Sequence, residues 1–117
     1  MSFILVPKQG EDIQINGWNW RPTLLLISDL LDDETYHKME GQGCGGKADA
    51  ELCRRIADVV DAKLDEMHPG DRMLPDLSVT SSSFEELVAA GESYSASYKW
   101  LRDFSAFCRS CGGFEVM

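Results

Sequence analysis

The chain has 117 residues, of which 44% are hydrophobic, and this is enough apolar material for the core of one ordinary domain spanning residues 1–117. Twenty acidic residues against eleven basic ones give a net charge of −9, which repels nucleic-acid phosphates and anionic lipid headgroups. The composition therefore excludes an intrinsically disordered chain and disfavours nucleic-acid and membrane binding, whereas it suits encounter with a basic protein partner.

The N-terminal residues do not read as an export signal. Residues 3–6 are apolar over too few positions for the hydrophobic region of a signal peptide, and no Lys or Arg precedes them. The longest other apolar run, residues 24–27, is far shorter than the roughly 20 residues that cross a bilayer. We therefore expect a cytoplasmic protein whose cysteines are reduced thiols.

The first forty residues predict a β-hairpin followed by two helices. Residues 3–6 and 13–15 have the pattern of two strands joined by a turn. Pro22 suits the first turn of a helix, because backbone N–H groups there have no intrahelical acceptor and proline therefore loses no hydrogen bond. The acidic residues 32–34 predict the capped start of a shorter helix that ends near Met39.

Two tryptophans lie between the predicted hairpin and the first predicted helix. Trp18 and Trp20 alternate, so an extended backbone would place both rings on the same side. Two large rings together either cover the core or form an anchor for a binding partner. We therefore include both residues among the candidate partner-binding residues.

The glycine-rich segment 41–46 resembles a phosphate-binding loop only in part. Its Gly-x-x-x-x-Gly-Lys pattern is followed by Ala48, where that motif requires a Ser or Thr hydroxyl for the magnesium ion. The preceding residues 35–40 are polar and do not form the buried strand from which such a loop starts. We interpret the segment as a turn-forming loop.

Two amphipathic helices are predicted in the second half of the chain. Apolar residues recur every three or four positions from Ala48 to Met67, and a last helix runs from about Ser95 or Ser97 to Ser110. The polar side of the first of these helices carries Asp58, Asp61 and Asp65. These carboxylates are the second group of candidate residues for contact with a basic partner.

The remaining segments complete a prediction of the α+β class. Residues 73–80 suit either a loop or a short edge strand, and Ser82 or Ser83 can cap a short helix that starts near Phe84. Residues 114–116 have the pattern of a final strand. We expect a small antiparallel sheet, formed by the N-terminal hairpin with or without this C-terminal strand, packed against four or five helices.

The C-terminal helix ends in the CxxC pair Cys108 and Cys111. Both thiols fall on the apolar stripe of this helix, and the negative end of its dipole opposes a thiolate there, so the pattern favours ordinary core residues. A zinc site needs two more ligands, and no second closely spaced pair exists. The remaining Cys and His residues are Cys44, Cys53, His37 and His68.

No arrangement typical of nucleophilic catalysis is visible, since such catalysis needs a base that a third group orients. His37 lies in a polar stretch and His68 stands beside Pro69 at a helix end, so both suit surface or capping roles. The many carboxylates have no spacing that identifies a general acid and base. We therefore expect no catalytic residue, no cofactor and no metal ligand.

Three segments resemble parts of a group of small uncharacterised bacterial proteins. They are Gly-Trp-Asn-Trp-Arg-Pro at residues 17–22 and Phe-Cys-Arg-Ser-Cys-Gly-Gly-Phe at residues 107–114, together with Trp-Leu-Arg-Asp-Phe at residues 100–104. The size and acidity of the chain are also similar to those of immunity proteins of bacterial toxin systems. These resemblances imply no activity, cofactor or catalytic residue.

The sequence thus predicts a non-catalytic, acidic protein-binding module with an immunity-like or regulatory role, which can also form a homo-oligomer. The alternative is a small zinc-binding or redox regulator built on the C-terminal CxxC. The candidate partner-binding residues are Trp18, Trp20, Asp32, Asp33, Glu34, Asp58, Asp61 and Asp65.

Overall fold

The computed structural model describes residues 2–41 and 43–117, and it has the predicted α+β architecture. The helices are α1 (Gly17–Ile27), α2 (Asp33–Glu40), α3 (Ala50–Leu64), α4 (Phe84–Ala89) and α5 (Tyr98–Ser110), with a short 3-10 helix at Ser28–Leu30. The strands are β1 (Ser2–Pro7), β2 (Ile13–Asn16), β3 (Lys47–Asp49), β4 (Arg72–Met73), β5 (Val79–Thr80), β6 (Ala96–Ser97) and β7 (Gly113–Val116).

The larger sheet has four antiparallel strands in the order β2-β1-β7-β3. Phe3 of β1 lies opposite Ile15 of β2, and Leu5 lies opposite Val116 of β7, so alternate side chains enter the core. The predicted N-terminal hairpin and the predicted pairing of the C-terminal strand are both confirmed.

A second, smaller sheet has the strand order β5-β4-β6. Met73 of β4 lies between Val79 of β5 and Ala96 of β6. Residues 73–80, for which the sequence allowed either a loop or an edge strand, therefore contain the edge strand β5 and also Met73 of the central strand β4. Met73 and Ala96 are fully buried, which anchors this sheet to the core.

The capping residues predicted for α2 and α4 are confirmed, and α5 has a cap of the same kind. Asp32 accepts a hydrogen bond from the Thr35 backbone N–H at 2.7 Å and caps α2. Ser83 and Glu86 form a capping box at the start of α4, and Ser97 caps α5. Each cap joins residues three positions apart, so the sequence alone contains the signal.

Helix α1 begins earlier than Pro22, contrary to the prediction. Asn16 caps the helix by accepting a hydrogen bond from the Asn19 N–H at 3.0 Å, and Pro22 lies inside the helix. Proline cannot donate the usual hydrogen bond to the carbonyl four residues earlier, which belongs to Trp18. The Ser95 N–H donates to that carbonyl oxygen instead, at 3.1 Å, so a distant segment makes the early start possible.

The predicted start of the longest helix at Ala48 is also wrong. Residues 47–49 form β3, where Ala48 lies opposite Phe114, and the helix runs from Ala50 to Leu64 behind the cap Asp49. A strand of three residues has only a weak sequence signal, and the strong helical periodicity that follows it led to a predicted helix that begins too early.

Helices α3 and α5 pack against each other through their apolar stripes, on the inner face of the larger sheet. Leu101, Phe104 and Cys108 of α5 are buried, as the helical spacing predicted, and they belong to one core with Ile56 and Val60 of α3. Among residues 2–41 and 43–117, no helix has the length and apolar character needed to cross a bilayer.

Candidate functional site

The two tryptophans of α1 lie in opposite environments. Trp20 is 1% exposed, and its Nε1–H donates to the Met39 carbonyl oxygen at 2.9 Å. Trp18 is 48% exposed at the start of the same helix. The expectation that both rings share one side is therefore wrong, because helical geometry separates residues two positions apart by about 200°.

Trp18 forms one wall of a cleft of about 270 Å³. Its ring lies 5.5 Å from the Phe84 ring, and the Arg72 guanidinium carbon lies 5.2 Å from the centre of the Phe84 ring on the same cleft. Arg72 Nε donates to Ser95 Oγ at 2.6 Å, which fixes the guanidinium in place. The half-exposed indole is thus held by a rigid support, as is typical of an anchor at a protein interface.

Four exposed carboxylates surround the start of α2, and we name them the α2 ridge: Asp29, Asp32, Asp33 and Glu34. The hydrogen bond from the Thr35 backbone N–H lowers the pKa of Asp32, so this carboxyl is charged at neutral pH. Among the residues described, the one ion pair of the ridge joins Glu34 to Lys38 at 3.0 Å. The ridge therefore presents a dense, largely uncompensated negative charge.

The second predicted acidic surface is partly neutralised by α5. Arg109 Nη2 donates to Asp58 Oδ1 at 3.0 Å and to Asp61 Oδ2 at 2.6 Å. Ser105 Oγ also donates to Asp61 Oδ1, at 2.5 Å, whereas Asp65 is exposed near the helix end. This network holds α3 to α5 where the two helices meet. Two of the three carboxylates of the predicted surface, Asp58 and Asp61, therefore already have a structural partner.

Acid should weaken the network at this seam. The hydrogen bonds from Arg109 and Ser105 lower the pKa of Asp61 below its ordinary value of 3.8. A lowered pKa in the folded state stabilises the protein above the unfolded-state pKa, and this stabilisation is lost as pH falls through the folded-state pKa. We expect Asp61→Asn to cost no more than about 1 kcal/mol at pH 7, since the side chain is 44% exposed, and to cost progressively less as pH falls through the folded-state pKa of Asp61.

Urea unfolding of the wild type and the variant at pH 7 and at a series of lower pH values measures this difference. Arg109→Gln, made alone and together with Asp61→Asn, completes a double-mutant cycle. Strictly additive effects of the two substitutions at pH 7 would contradict the assigned coupling.

Three of the four cysteines meet in the core. Cys53 Sγ lies 3.7 Å from Cys111 Sγ, and Cys108 hydrogen-bonds to Cys53. Burial raises the pKa of Cys111 to about 11, and the hydrogen bond to Cys53 together with burial raises the pKa of Cys108. Cys44 is exposed. The sequence singled out Cys108 and Cys111, and only the fold shows that Cys53 is their neighbour.

Neither histidine joins this cluster. His37 Nδ1 lies 2.9 Å from Glu40 Oε1, and His68 Nδ1 lies 3.7 Å from Asp71 Oδ2, both at exposed positions. Over residues 2–41 and 43–117, no group of three or more Cys, His, Asp or Glu side chains is arranged to hold a metal ion. The zinc alternative therefore gains no support from the geometry.

The glycine-rich segment has a structural role that excludes the phosphate-loop geometry. Lys47 follows Gly46 as the first residue of β3, so no helix N-terminus opens at the position that a phosphate would need. The Gly46 carbonyl oxygen accepts a hydrogen bond from the Val116 N–H at 2.7 Å. Gly46 thus joins the loop to the end of β7.

The predicted partner-binding residues do not form one site. Trp18 lies at the start of α1 and the α2 ridge lies beyond the end of that helix, which is about 16 Å long at 1.5 Å per residue. Asp58 and Asp61 lie at the seam of α3 and α5, and Trp20 lies in the core. Sequence reasoning missed Phe84 and Arg72, because their proximity to Trp18 follows from the fold and from no local pattern.

Comparison of the chain with protein-family models, with curated proteins and with solved structures gives no match. The resemblance of three segments to small bacterial proteins stays an expectation, and proposals about function depend on the geometry alone.

Proposed function

We propose that the protein is a non-catalytic module that binds a basic protein partner, in an immunity-like or regulatory role, through the α2 ridge. The observation that carries the proposal is the exposure of four carboxylates within residues 29–34, where Lys38 is the cation that pairs with one of them. A basic surface that meets this ridge would gain charge complementarity without breaking an existing network.

The α3 surface supports the choice of the α2 ridge by contrast. Asp58 and Asp61 are bound to Arg109, and a partner that used them would first have to displace that guanidinium. The ridge carries no such cost. The net charge of −9 also accelerates encounter with a basic partner at low ionic strength.

Trp18 is the second candidate contact. A standard interface covers about 800 Å² per partner, and a patch of this size spans roughly 30 Å. Because this span exceeds the length of α1, one partner surface is wide enough to reach both Trp18 and the α2 ridge. Exposed tryptophan residues supply a large share of binding energy at such interfaces. A second copy of this chain could also contact Trp18, so self-association through this residue stays a prediction.

Zero-length carboxyl-to-amine cross-linking in an extract of the native cell, followed by peptide mapping, tests the proposal. We expect partner lysines to be joined to ridge carboxylates. Asp29→Lys with Asp33→Lys should reduce recovery of the cross-linked partner at least tenfold, because two repulsive charges replace two attractive ones. These two positions spare the cap Asp32 and the Glu34–Lys38 ion pair.

The matched control is Glu11→Lys with Asp12→Lys in the β1–β2 turn. Each replacement of an acidic residue by lysine raises the net charge by two, so both double variants go from −9 to −5. The ridge variant and the control therefore have the same net charge and differ only in where the charge was changed. Circular dichroism verifies that α2 survives in the ridge variant. Equal recovery of the partner by both variants, or cross-links confined to residues outside the ridge, would overturn the proposal.

A further inference from the structure

The three buried cysteines come from two helix ends that meet in the core. Cys53 lies in the first turn of α3, and Cys108 and Cys111 lie in the last turn and at the C-cap of α5. All three are at most 2% exposed. The Sγ atoms of Cys53 and Cys111 are 3.7 Å apart, so a shift of about 1.7 Å would bring them to the 2.05 Å of a disulfide.

The three thiols differ in their ability to become a thiolate. Cys53 is the fourth residue of a 15-residue helix, where the positive end of the dipole favours a negative charge. The hydrogen bond from Cys108 lowers the pKa of Cys53, against the opposing effect of burial. Cys111 has its pKa raised to about 11, so the thiolate of the cluster belongs to Cys53.

We propose that Cys53 is an oxidation site for small hydroperoxides and that its oxidised form closes a disulfide with Cys111. The Cys53 thiolate attacks one peroxide oxygen, an S–O bond forms, the O–O bond breaks, and the leaving alkoxide or hydroxide takes up a proton. The Cys111 sulfur then attacks the Cys53 sulfenic acid, the S–O bond breaks, and hydroxide leaves with the Cys111 proton as water. Two thiols thus lose two electrons and two protons, and the hydroperoxide becomes one alcohol and one water.

The chemistry of the site selects this class of oxidant. Hydrogen peroxide is small and uncharged, so a brief local opening of the structure around Cys53 admits it more readily than a larger or charged oxidant. In this scheme the Cys108 thiol donates a hydrogen bond to the Cys53 sulfur, and it does not become part of the disulfide. The proposal does not depend on the α2 ridge, because the cluster lies in the core.

The experiment treats the full chain carrying Cys44→Ser with hydrogen peroxide, since Cys44 is exposed and would react on its own. Titration of the unfolded product should fall from three thiols to one, and peptide mapping should join Cys53 to Cys111. The melting temperature should rise by several degrees, because the bond closes a long loop between the two residues.

Two variants separate the steps. In Cys111→Ala we expect the Cys53 sulfenic acid to persist and to be trapped by dimedone as one adduct, whereas Cys53→Ala should leave Cys111 unoxidised. Alanine is used because it keeps the buried positions apolar, and circular dichroism verifies folding. The mapping of the Cys44→Ser chain is decisive even if a core variant does not fold. A bond between Cys108 and Cys111, or oxidation that requires denaturant, would overturn the proposal.

Discussion

Replacing Trp20 with alanine should lower the free energy of unfolding by about 4 kcal/mol, whereas the same change at Trp18 should cost less than about 1 kcal/mol. Trp20 lies edge-on to Phe104 and Trp100, at centroid distances of 5.7 and 6.4 Å, and also contacts Phe3. Its removal leaves a large cavity among aromatic rings, and it leaves the Met39 carbonyl oxygen without its indole donor.

The two variants form a matched pair, because both residues belong to the first turns of α1 and both changes remove the same atoms. Urea unfolding followed by circular dichroism measures the two free energies. Trp18 loses mainly its contact with Phe84 and was half exposed before the change. Equal destabilisation by the two substitutions would contradict the placement of one ring in the core and the other on the surface.

Gly46→Ala should destabilise the protein by about 3 kcal/mol. A Cβ at this position would lie 2.6 Å from Met39 Cγ and 2.8 Å from the Met39 backbone nitrogen. The end of α2 cannot move aside cheaply, because the Met39 carbonyl oxygen accepts the hydrogen bond from Trp20 and Met39 itself is fully buried. The substitution therefore forces a displacement of backbone within a packed core.

The control for Gly46→Ala is Gly43→Ala in the same loop. Gly43 has a φ of +74°, and no atom lies within 4 Å of an added Cβ, so alanine there costs about 1 kcal/mol of backbone strain alone. Both free energies come from urea unfolding. If Gly46→Ala were no worse than Gly43→Ala, the close packing of the loop against α2 would be wrong.

Acidic side chains show how far sequence reasoning extends at the candidate site. The chain itself predicts that Asp32 caps a helix, because the cap and the Thr35 N–H are three residues apart. It does not predict that Asp61 is held by Arg109, since nothing local joins two residues on different helices. The distinction between an available carboxylate and an occupied one therefore required the packing of α3 against α5.

The sequence by itself determined the features that depend on neighbouring residues. These are the N-terminal hairpin, the amphipathic stripes of α3 and α5, and a serine cap before the short helix near Phe84, because period and capping chemistry act over a few positions. It also determined the α+β class, since each element presents one apolar face that must be covered.

Tertiary structure alone decided where α1 begins, which tryptophan is buried and which cysteines touch. The early start of α1 requires the Ser95 N–H to bind the Trp18 carbonyl that Pro22 leaves without a partner. Cys53 and Cys111 meet because the start of α3 packs against the end of α5. Contacts of this kind join distant parts of the chain, and their free energy outweighs the local preferences that a sequence pattern expresses.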